Sequence, residues 1–251
     1  MKIAIVGCTG RLGSNIIKNV MKRDDVSLQY AIARKGNQYV GQSMSSVAGG
    51  NCQLEIIDDI CKAVECDVFI DCTNAETFMR DSLPKYVAMK KPVVIATTAF
   101  TPQDLEKIKD LAEQLPVFME GNFSVALHDF IDTLKFAVGK ISEDTDIQIV
   151  EYHHNLKLDA PSGTALMIRD ALVKANHRIT EDMINISSVR GGNIFGEHEV
   201  IFANCKDEVT TYKHQVSSRE AFADGAIEVA KWTVKQQCGL YNMDDFCADR
   251  G

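Results

Sequence analysis

Short apolar runs rich in β-branched residues alternate with helical patterns over the first half of the chain. The runs that predict strands are residues 2–6, 26–33, 52–57, 67–72, 92–97 and 116–119. Apolar residues recur at helical spacing after the first run, at Leu12, Ile16 and Val20, and residues 75–90 predict a further helix. Strands that alternate with helices of this length predict an α/β fold with a Rossmann-type, doubly wound parallel sheet.

The pattern changes in the second half, where strands follow one another without helices between them. Helices are predicted over residues 125–140 and 219–236, and another begins after Pro161. The strands predicted in this half are residues 146–153, 186–190, 199–204 and 209–216. Such an order is typical of a mixed or antiparallel sheet, so we expect a second, α+β domain closely connected to the first.

The charge balance and the apolar patterning exclude two classes of protein. Lys and Arg total 27 against 35 Asp and Glu, and this net charge of −8 argues against a general nucleic-acid binder, which needs a positive surface field. No apolar run approaches the ~18 residues of a membrane-spanning helix, and the N-terminal residues predict a strand rather than a signal peptide. We therefore expect a cytoplasmic protein whose partners are neither nucleic acids nor membranes.

The chain contains eight cysteines, but their spacing predicts no special chemistry. They form no C-x-x-C pair, and no histidine lies near them at the spacing of a zinc site. We expect reduced thiols that pack as small apolar side chains, and no metal.

A glycine-rich turn, Gly7-x-x-Gly10-x-x-Gly13, joins the first predicted strand to the first predicted helix. Glycines at such a turn let the backbone approach a pyrophosphate, and the helix N-terminus supplies N–H groups that bind it. Thr9 stands where the usual fingerprint has its middle glycine, so a plain tight turn is the alternative interpretation. The position between an apolar strand and a helix favours dinucleotide binding.

The second predicted strand ends in Ala33-Arg34-Lys35, without the acidic residue that binds the ribose 2′-hydroxyl of NAD. A guanidinium at Arg34 would pair with the 2′-phosphate of NADPH, and Arg11 in the glycine-rich turn would assist it. We therefore expect NADPH as the preferred cofactor and NADH as the second candidate. Solvated turn residues are the alternative interpretation of Arg34 and Lys35.

The densest chemistry lies in residues 151–165, EYHHNLKLDAPSGTA. His153 and His154 would point to opposite faces of a strand, so that one faces a ligand while the other orients or packs. Lys157 adds a positive charge, and Pro-Ser-Gly-Thr at 161–164 predicts a helix start that binds an anion. Together these features predict a receptor for a carboxylate or a phosphate. An ordinary capped strand-to-helix turn is the alternative.

This segment resembles the signature of the dihydrodipicolinate reductase family, NAD(P)H-dependent oxidoreductases that reduce 4-hydroxy-tetrahydrodipicolinate in lysine and diaminopimelate biosynthesis. The resemblance covers essentially the whole chain. It includes the cofactor loop at residues 7–13, the fourth-strand end at 69–73, the nicotinamide loop at 96–100, the hinge at 120–125 and the return at 217–219.

The resemblance implies a domain organisation and an assembly. Residues 1–123, completed by residues 218–251, correspond to the dinucleotide-binding domain, and residues 124–217 to the substrate-binding and oligomerisation domain. A homotetramer and a small cyclic dicarboxylate substrate are implied as well.

The resemblance also implies roles for individual residues. His153 corresponds to the general acid of the family and Lys157 to its second catalytic residue. The residues that correspond to the substrate site are His154, Ser162, Gly163 and Thr164. Those that correspond to the cofactor site are Gly7, Cys8, Thr9, Gly10, Arg11, Leu12, Arg34, Thr73, Ala96, Thr97, Thr98, Glu120, Gly121, Asn122 and Phe123.

The chain departs from the family pattern at a few positions. The family often has glycine where this chain has Ala96 and Ala99, and glutamate where it has Ala33. Loss of that glutamate disfavours NADH. Two other functions remain open: another nicotinamide-dependent amino-acid dehydrogenase, and a non-catalytic NADPH sensor. Neither explains why His153, His154 and Lys157 stand together.

Overall fold

A computed structural model describes residues 1–250. The chain folds into two compact units. One consists of Met1–Ser124 together with the C-terminal segment that begins at Glu220, and the other is Val125–Arg219.

The first unit contains a seven-stranded sheet in which every paired strand is parallel to its neighbour. Its strands are β1 (Lys2–Val6), β2 (Ser27–Ile32), β3 (Ile56–Ile57), β4 (Val68–Asp71), β5 (Val93–Ile95), β6 (Pro116–Met119) and β11 (Gly239–Tyr241). Their order across the sheet is β11-β6-β5-β4-β1-β2-β3. The prediction of a Rossmann-type parallel sheet is confirmed.

The helices of this unit lie between strands along the chain, except the last, which follows β11. They are α1 (Arg11–Val20), α2 (Ser45–Ala48), α3 (Ala75–Thr77), α4 (Leu83–Met89), α5 (Pro102–Ala112), α8 (Glu220–Thr233) and α9 (Met243–Ala248), with a 3₁₀ turn at Ile60–Lys62. A π-helical turn, Phe78–Ser82, joins α3 to α4 and lies just before Pro84. Because proline has no N–H to donate within a helix, the single helix predicted over residues 75–90 contains this irregular turn.

The predicted strand over residues 52–57 is wrong in its length, since only Ile56 and Ile57 pair with β2. The backbone before them bonds to a nearer segment instead. The Met44 N–H donates to the carbonyl of Leu54, and the Ile56 N–H donates to that of Gln42. The pattern of apolar residues also did not predict the short elements α2, β11 and α9.

The second unit contains a four-stranded sheet of order β10-β9-β7-β8. Its strands are β7 (Thr145–His153), β8 (Ile184–Arg190), β9 (Gly196–Asn204) and β10 (Val209–Val216). Its helices are α6 (Val125–Val138) and α7 (Gly163–Ala175), with a 3₁₀ turn at Glu181–Met183. Because α7 carries the chain back across the sheet, β8 pairs parallel to β7, whereas β9 pairs antiparallel to both β7 and β10. The sheet is therefore mixed, as predicted.

Apolar residues from α6 and α7 pack on one face of this sheet. Leu134 from α6, Ile168 from α7 and Ile149 from β7 belong to one buried cluster. The alternation of buried and exposed positions along β7 places Glu151 and His153 on the same, covered face as Ile149. The packing therefore determines which polar side chains of β7 are enclosed.

Helix α8 approaches the segment after β6 more closely than a side chain allows. A Cβ atom on Gly225 would lie 1.8 Å from the carbonyl oxygen of Phe123. Phe123 is itself buried, and its ring centroid lies 6.2 Å from that of Phe118. This contact ties the end of the chain to the core of the first unit.

We expect Gly225→Ala to lower the free energy of unfolding by about 1–3 kcal/mol, because the new methyl group overlaps backbone atoms. Alanine inside a helix is ordinarily about 1 kcal/mol more favourable than glycine, so a net loss isolates the steric effect. Gly191→Ala is the control, since a Cβ there meets nothing within 4 Å. Denaturant unfolding measures both variants, and a Gly225→Ala protein as stable as the parent would contradict this packing.

Candidate active site

The glycine-rich turn between β1 and α1 has no space for side chains at two of its glycines. Gly7 has a φ of +82°, and a Cβ on it would lie 2.8 Å from the carbonyl oxygen of Cys72. A Cβ on Gly13 would lie 2.5 Å from the carbonyl oxygen of Gly7. Gly10 caps α1 without a side chain, so the capping residue leaves the N–H groups of the first turn to other acceptors. This backbone fits a pyrophosphate.

The residues between these glycines differ in their exposure. Cys8 is fully buried, and burial raises the pKa of its thiol to about 12, so its side chain belongs to the core. The Thr9 hydroxyl accepts a hydrogen bond from the Asn37 side chain at 3.3 Å. Arg11 is exposed and Leu12 is half-buried. Of the predicted cofactor residues in the turn, Cys8 can therefore offer a ligand only its backbone.

Arg34 lies directly after β2, on a cleft of about 480 Å³. The charged side chains that line this cleft are Arg34, Lys35, Lys62, Lys85, Asp58, Asp59 and Asp81. Thr73 lines it as well, and the buried carboxylate of Asp71 orients Thr73 by accepting from its N–H at 3.0 Å and from its hydroxyl at 2.5 Å. The cleft thus combines cationic side chains with the carboxyl ends of parallel strands, where α/β sheets bind nucleotides.

A second depression, of about 280 Å³, is lined by Thr97, Thr98, Glu120 and Gly121 among others. The Thr97 hydroxyl is buried and has no hydrogen-bond partner among residues 1–250. Because buried polar atoms are normally paired, this hydroxyl fits a site that a polar ligand group completes.

A tight turn follows β6, where the Glu120 carboxylate accepts from the N–H groups of Gly121 at 2.7 Å and Asn122 at 3.3 Å. Phe123, predicted as a cofactor residue, points its ring into the core. Its backbone alone is therefore placed at this turn.

In the second unit, the Glu151 carboxylate is fully buried and accepts hydrogen bonds from several elements. Arg190 on β8 donates a hydrogen bond to it from each terminal nitrogen, at 2.7 and 2.8 Å. His153 Nδ1 lies 2.5 Å from one oxygen, and the Ser162 N–H donates to the other at 3.2 Å. Burial by itself would raise the pKa of Glu151, but the side-chain hydrogen bonds from Arg190, Ser188 and His153 lower it to about 2. The group is therefore a carboxylate at neutral pH.

A second histidine, His198, lies beside His153. Burial lowers the pKa of His198 to about 4, so its ring is neutral, and it stacks edge-on to His153 with ring centroids 5.3 Å apart. The Ser162 hydroxyl lies 3.2 Å from His198 Nε2 and also accepts from the Ala165 N–H. Ser162 is thus the N-cap of α7, and its hydroxyl is already engaged.

The loop after β7 carries the other predicted residues. Lys157 Nζ donates to both oxygens of Asp159, at 2.9 and 2.7 Å. His154 follows the end of β7, and its buried Nδ1 has no hydrogen-bond partner among residues 1–250. Gly163 and Thr164 open α7, so the N-terminal end of that helix lies beside the enclosed pair of Glu151 and His153. An ammonium, an imidazole and a helix N-terminus in one segment can bind a carboxylate.

Residues 1–250 contain no group of three or more His, Cys, Asp or Glu side chains arranged to hold a metal ion. Their helices are all too short or too polar to cross a membrane.

Family models match the two halves of the chain. Residues 1–123 match the N-terminal model of dihydrodipicolinate reductase, and residues 126–247 match the C-terminal model of the same enzyme. The chain belongs to the dihydrodipicolinate reductase family. The resemblance inferred from residues 151–165 is confirmed.

Individual relatives agree with this assignment. The chain is 35% identical to a 4-hydroxy-tetrahydrodipicolinate reductase from Geotalea daltonii, with 98% of each chain covered. It is 34% identical to the reductase of that name from Buchnera aphidicola, with 97% of each covered. A solved structure of dipicolinate-bound dihydrodipicolinate reductase from Paenisporosarcina sp. TG-14 aligns with a TM-score of 0.76 over 96% of this chain and 97% of that one, at 21% identity. That last likeness shows the fold.

The sequence alone did not identify the side chains that surround His153. Glu151 is the first residue of the segment 151–165, and its position two residues before His153 on a strand was the signal that the two share a face. Arg190 and His198 come from β8 and β9, and no local pattern places them beside β7. The strand pairing does so, because Arg190 is opposite His153 and His198 is opposite Glu151.

Ala99 has a left-handed φ of +65°. We expect Ala99→Gly to raise the free energy of unfolding by about 0.5–1 kcal/mol, because the left-handed penalty of about 1–2 kcal/mol exceeds the entropy cost of glycine. Ala96→Gly is the matched control. Ala96 is not among the residues of positive φ, so the same change should cost about 0.5–1 kcal/mol there. Thermal unfolding compares the two, and a loss at both positions would contradict the strain.

Proposed function

We propose that this protein reduces 4-hydroxy-tetrahydrodipicolinate to tetrahydrodipicolinate, as the names of its relatives indicate. The reaction consumes one NAD(P)H and one proton and releases NAD(P)⁺ and water, as a step of lysine and diaminopimelate biosynthesis. The observation that carries the proposal is the segment His153-His154 to Thr164, which joins imidazole, ammonium and helix N-terminus in a member of this family. A plain Rossmann fold would not single out this reaction.

The dinucleotide would lie on the first unit. Gly7, Gly10 and Gly13 would admit its pyrophosphate, and Arg34 and Thr73 would bind the adenosine end in the cleft beside them. The residues that would line the nicotinamide end are Ala96, Thr97, Thr98, Glu120, Gly121, Asn122 and the backbone of Phe123. When bound, the reduced nicotinamide supplies a hydride. The exposed cations of Arg34 and Lys35, with Arg11, support a preference for NADPH, whose 2′-phosphate a guanidinium pairs with.

The substrate would lie on the second unit. His153 would donate a proton as general acid, and Lys157, once released from Asp159, would stabilise negative charge beside it. One carboxylate of the substrate would bind at the N–H groups of Gly163 and Thr164, with His154 donating as well. Ser162 would act as the N-cap of α7, whose hydroxyl fixes the first turn of the helix. Residues 1–123 with 218–251 would thus form the cofactor domain, and residues 124–217 the substrate and oligomerisation domain. Family membership supports a cytoplasmic homotetramer.

The assignment is tested by following NADPH oxidation while a synthase generates the substrate in place from pyruvate and aspartate semialdehyde. We expect turnover by the parent protein, and a loss of roughly 10²–10⁴-fold in kcat for His153→Gln, the range for a lost general acid. His177→Gln, in the exposed turn after α7, is the control and should leave turnover unchanged. Folded protein that oxidises neither nucleotide would overturn the assignment, and a loss below tenfold would overturn the role of His153.

The cofactor preference is tested with Arg34→Ala. A charge-assisted pair with phosphate contributes about 1.5–3 kcal/mol, so KM for NADPH should rise by roughly tenfold or more while KM for NADH changes little. Arg178→Ala, which removes an exposed arginine paired with Glu143, is the control for the lost charge. Equal effects of Arg34→Ala on the two nucleotides would show that Arg34 does not bind the 2′-phosphate.

A further inference from the structure

Glu151 is a charged side chain with 0% exposure that none of the roles above uses. Both oxygens of its carboxylate nevertheless form hydrogen bonds. Arg190, on β8, donates to both oxygens. The Ser162 N–H, at the start of α7, donates to one of them, and His153 Nδ1 lies within hydrogen-bond distance of the other. An ionised carboxylate accepts hydrogen bonds and donates none. The atom that it faces in His153 must therefore carry the proton.

The other nitrogen of the same ring has a different environment. A Cβ atom built on Gly196 would lie 3.3 Å from His153 Nε2 and 3.7 Å from Cδ2. A side chain at position 196 would therefore crowd the Nε2 edge of the ring. No hydrogen bond to Nε2 is formed within residues 1–250, whereas Nδ1 is bound at 2.5 Å. The two nitrogens are thus differentiated by their surroundings: Nδ1 faces a carboxylate, and Nε2 has no hydrogen-bond partner within residues 1–250.

We propose that Glu151 is a positioning residue for the reduction: its carboxylate retains the proton on His153 Nδ1 and so assigns proton donation to Nε2. The inference rests on the proposed function in taking His153 as the general acid. In the step, the Nε2–H bond of the imidazolium breaks and its proton passes to the substrate. Its electron pair stays on Nε2 and leaves the neutral Nδ1–H tautomer. The two electrons of the reduction come with the hydride from the nicotinamide, and solvent returns the proton to Nε2.

Arg190 makes this arrangement stable. A buried carboxylate beside a histidine alone would compete with it for the proton, because removal from water favours the neutral forms of both. The bidentate guanidinium keeps Glu151 ionised, and it is anchored in turn by the carbonyl oxygens of Val189 and Asp159. Glu151 can therefore accept the Nδ1 proton in a hydrogen bond without removing it.

The charges around His153 have opposite effects on it. Burial lowers the pKa of His153 below its ordinary value, while Glu151, on its own strand, raises it. Lys157 in the following loop and Arg190 on β8 lower it, and His198 on β9 faces it as a neutral ring. Removing the charge of Glu151 leaves only influences that lower this pKa. The imidazolium form would then be lost at a lower pH than in the parent protein.

A first experiment needs no turnover, and it reads the tautomer in the parent protein. In the parent protein labelled with ¹⁵N-histidine, the ring-nitrogen shifts of its six histidines report the tautomers, and the spectrum of His153→Gln identifies the signals of His153. Above its pKa, we expect the neutral His153 ring to carry its proton on Nδ1. A neutral ring protonated on Nε2 would overturn the proposal, whether or not the protein reduces the expected substrate.

A second experiment uses Glu151→Gln, which keeps the shape of the side chain and removes its charge. We expect kcat to fall about tenfold to hundredfold, part of the effect of a general acid. We also expect the pKa of His153, titrated by NMR, to fall, and the basic limb of the kcat/KM profile to move to lower pH with it. Glu143→Gln, at an exposed glutamate paired with Arg178, is the matched control and should change neither.

A purely structural role for the ion pair between β7 and β8 gives a different result. Glu151→Gln would then lower the unfolding temperature while the pKa of His153 and the basic limb stayed in place, and that outcome would overturn the proposal. If the variant does not fold, the tautomer of the parent protein decides. If the parent shows the Nδ1–H tautomer but no reduction, the proposed function fails and the positioning of His153 by Glu151 stands.

Discussion

The buried carboxylate of Glu151 holds together the chemistry of the second unit. Its oxygens bind a guanidinium from β8, an imidazole at the end of β7 and the N–H of the residue that caps α7. Removing one partner of such a buried pair typically costs about 3–5 kcal/mol, so the arrangement resists distortion. The histidine and the helix start are therefore placed relative to each other by one shared charge. Chemistry that needs both an acid and an anion-binding helix end requires this kind of placement.

The first unit depends on close backbone approach instead. Gly7 and Gly13 leave no space for side chains, so main-chain atoms form the turn where a pyrophosphate would lie. The cations that follow β2 and line the adjoining cleft give a local positive charge to a chain whose net charge is −8. Overall acidity and binding of anionic ligands are compatible because fields close to a site are set by the nearest charges.

Much of this organisation could be predicted from the sequence, because periodicity is a local property. The alternation of strands and helices predicted the parallel sheet, and β10 begins and ends where residues 209–216 indicated. The short β3 was overestimated, since its backbone bonds to residues 42–44, a pairing that no apolar pattern reveals. In the second unit, the segment with His153 and Lys157 was identified, but Arg190 and His198 were not. Their position depends on the order of strands in a mixed sheet, which is a property of the whole unit.

The central claim is that a single segment presents an acid and a helix N-terminus to a dicarboxylate. A crystal structure with NADPH and pyridine-2,6-dicarboxylate tests it most directly. We expect one carboxylate within hydrogen-bond distance of the N–H groups of Gly163 and Thr164, with Glu151 still bound to His153 Nδ1 and His153 Nε2 toward the ligand. A dicarboxylate bound away from the start of α7, or a His153 ring turned so that Nε2 faces Glu151, would contradict the account.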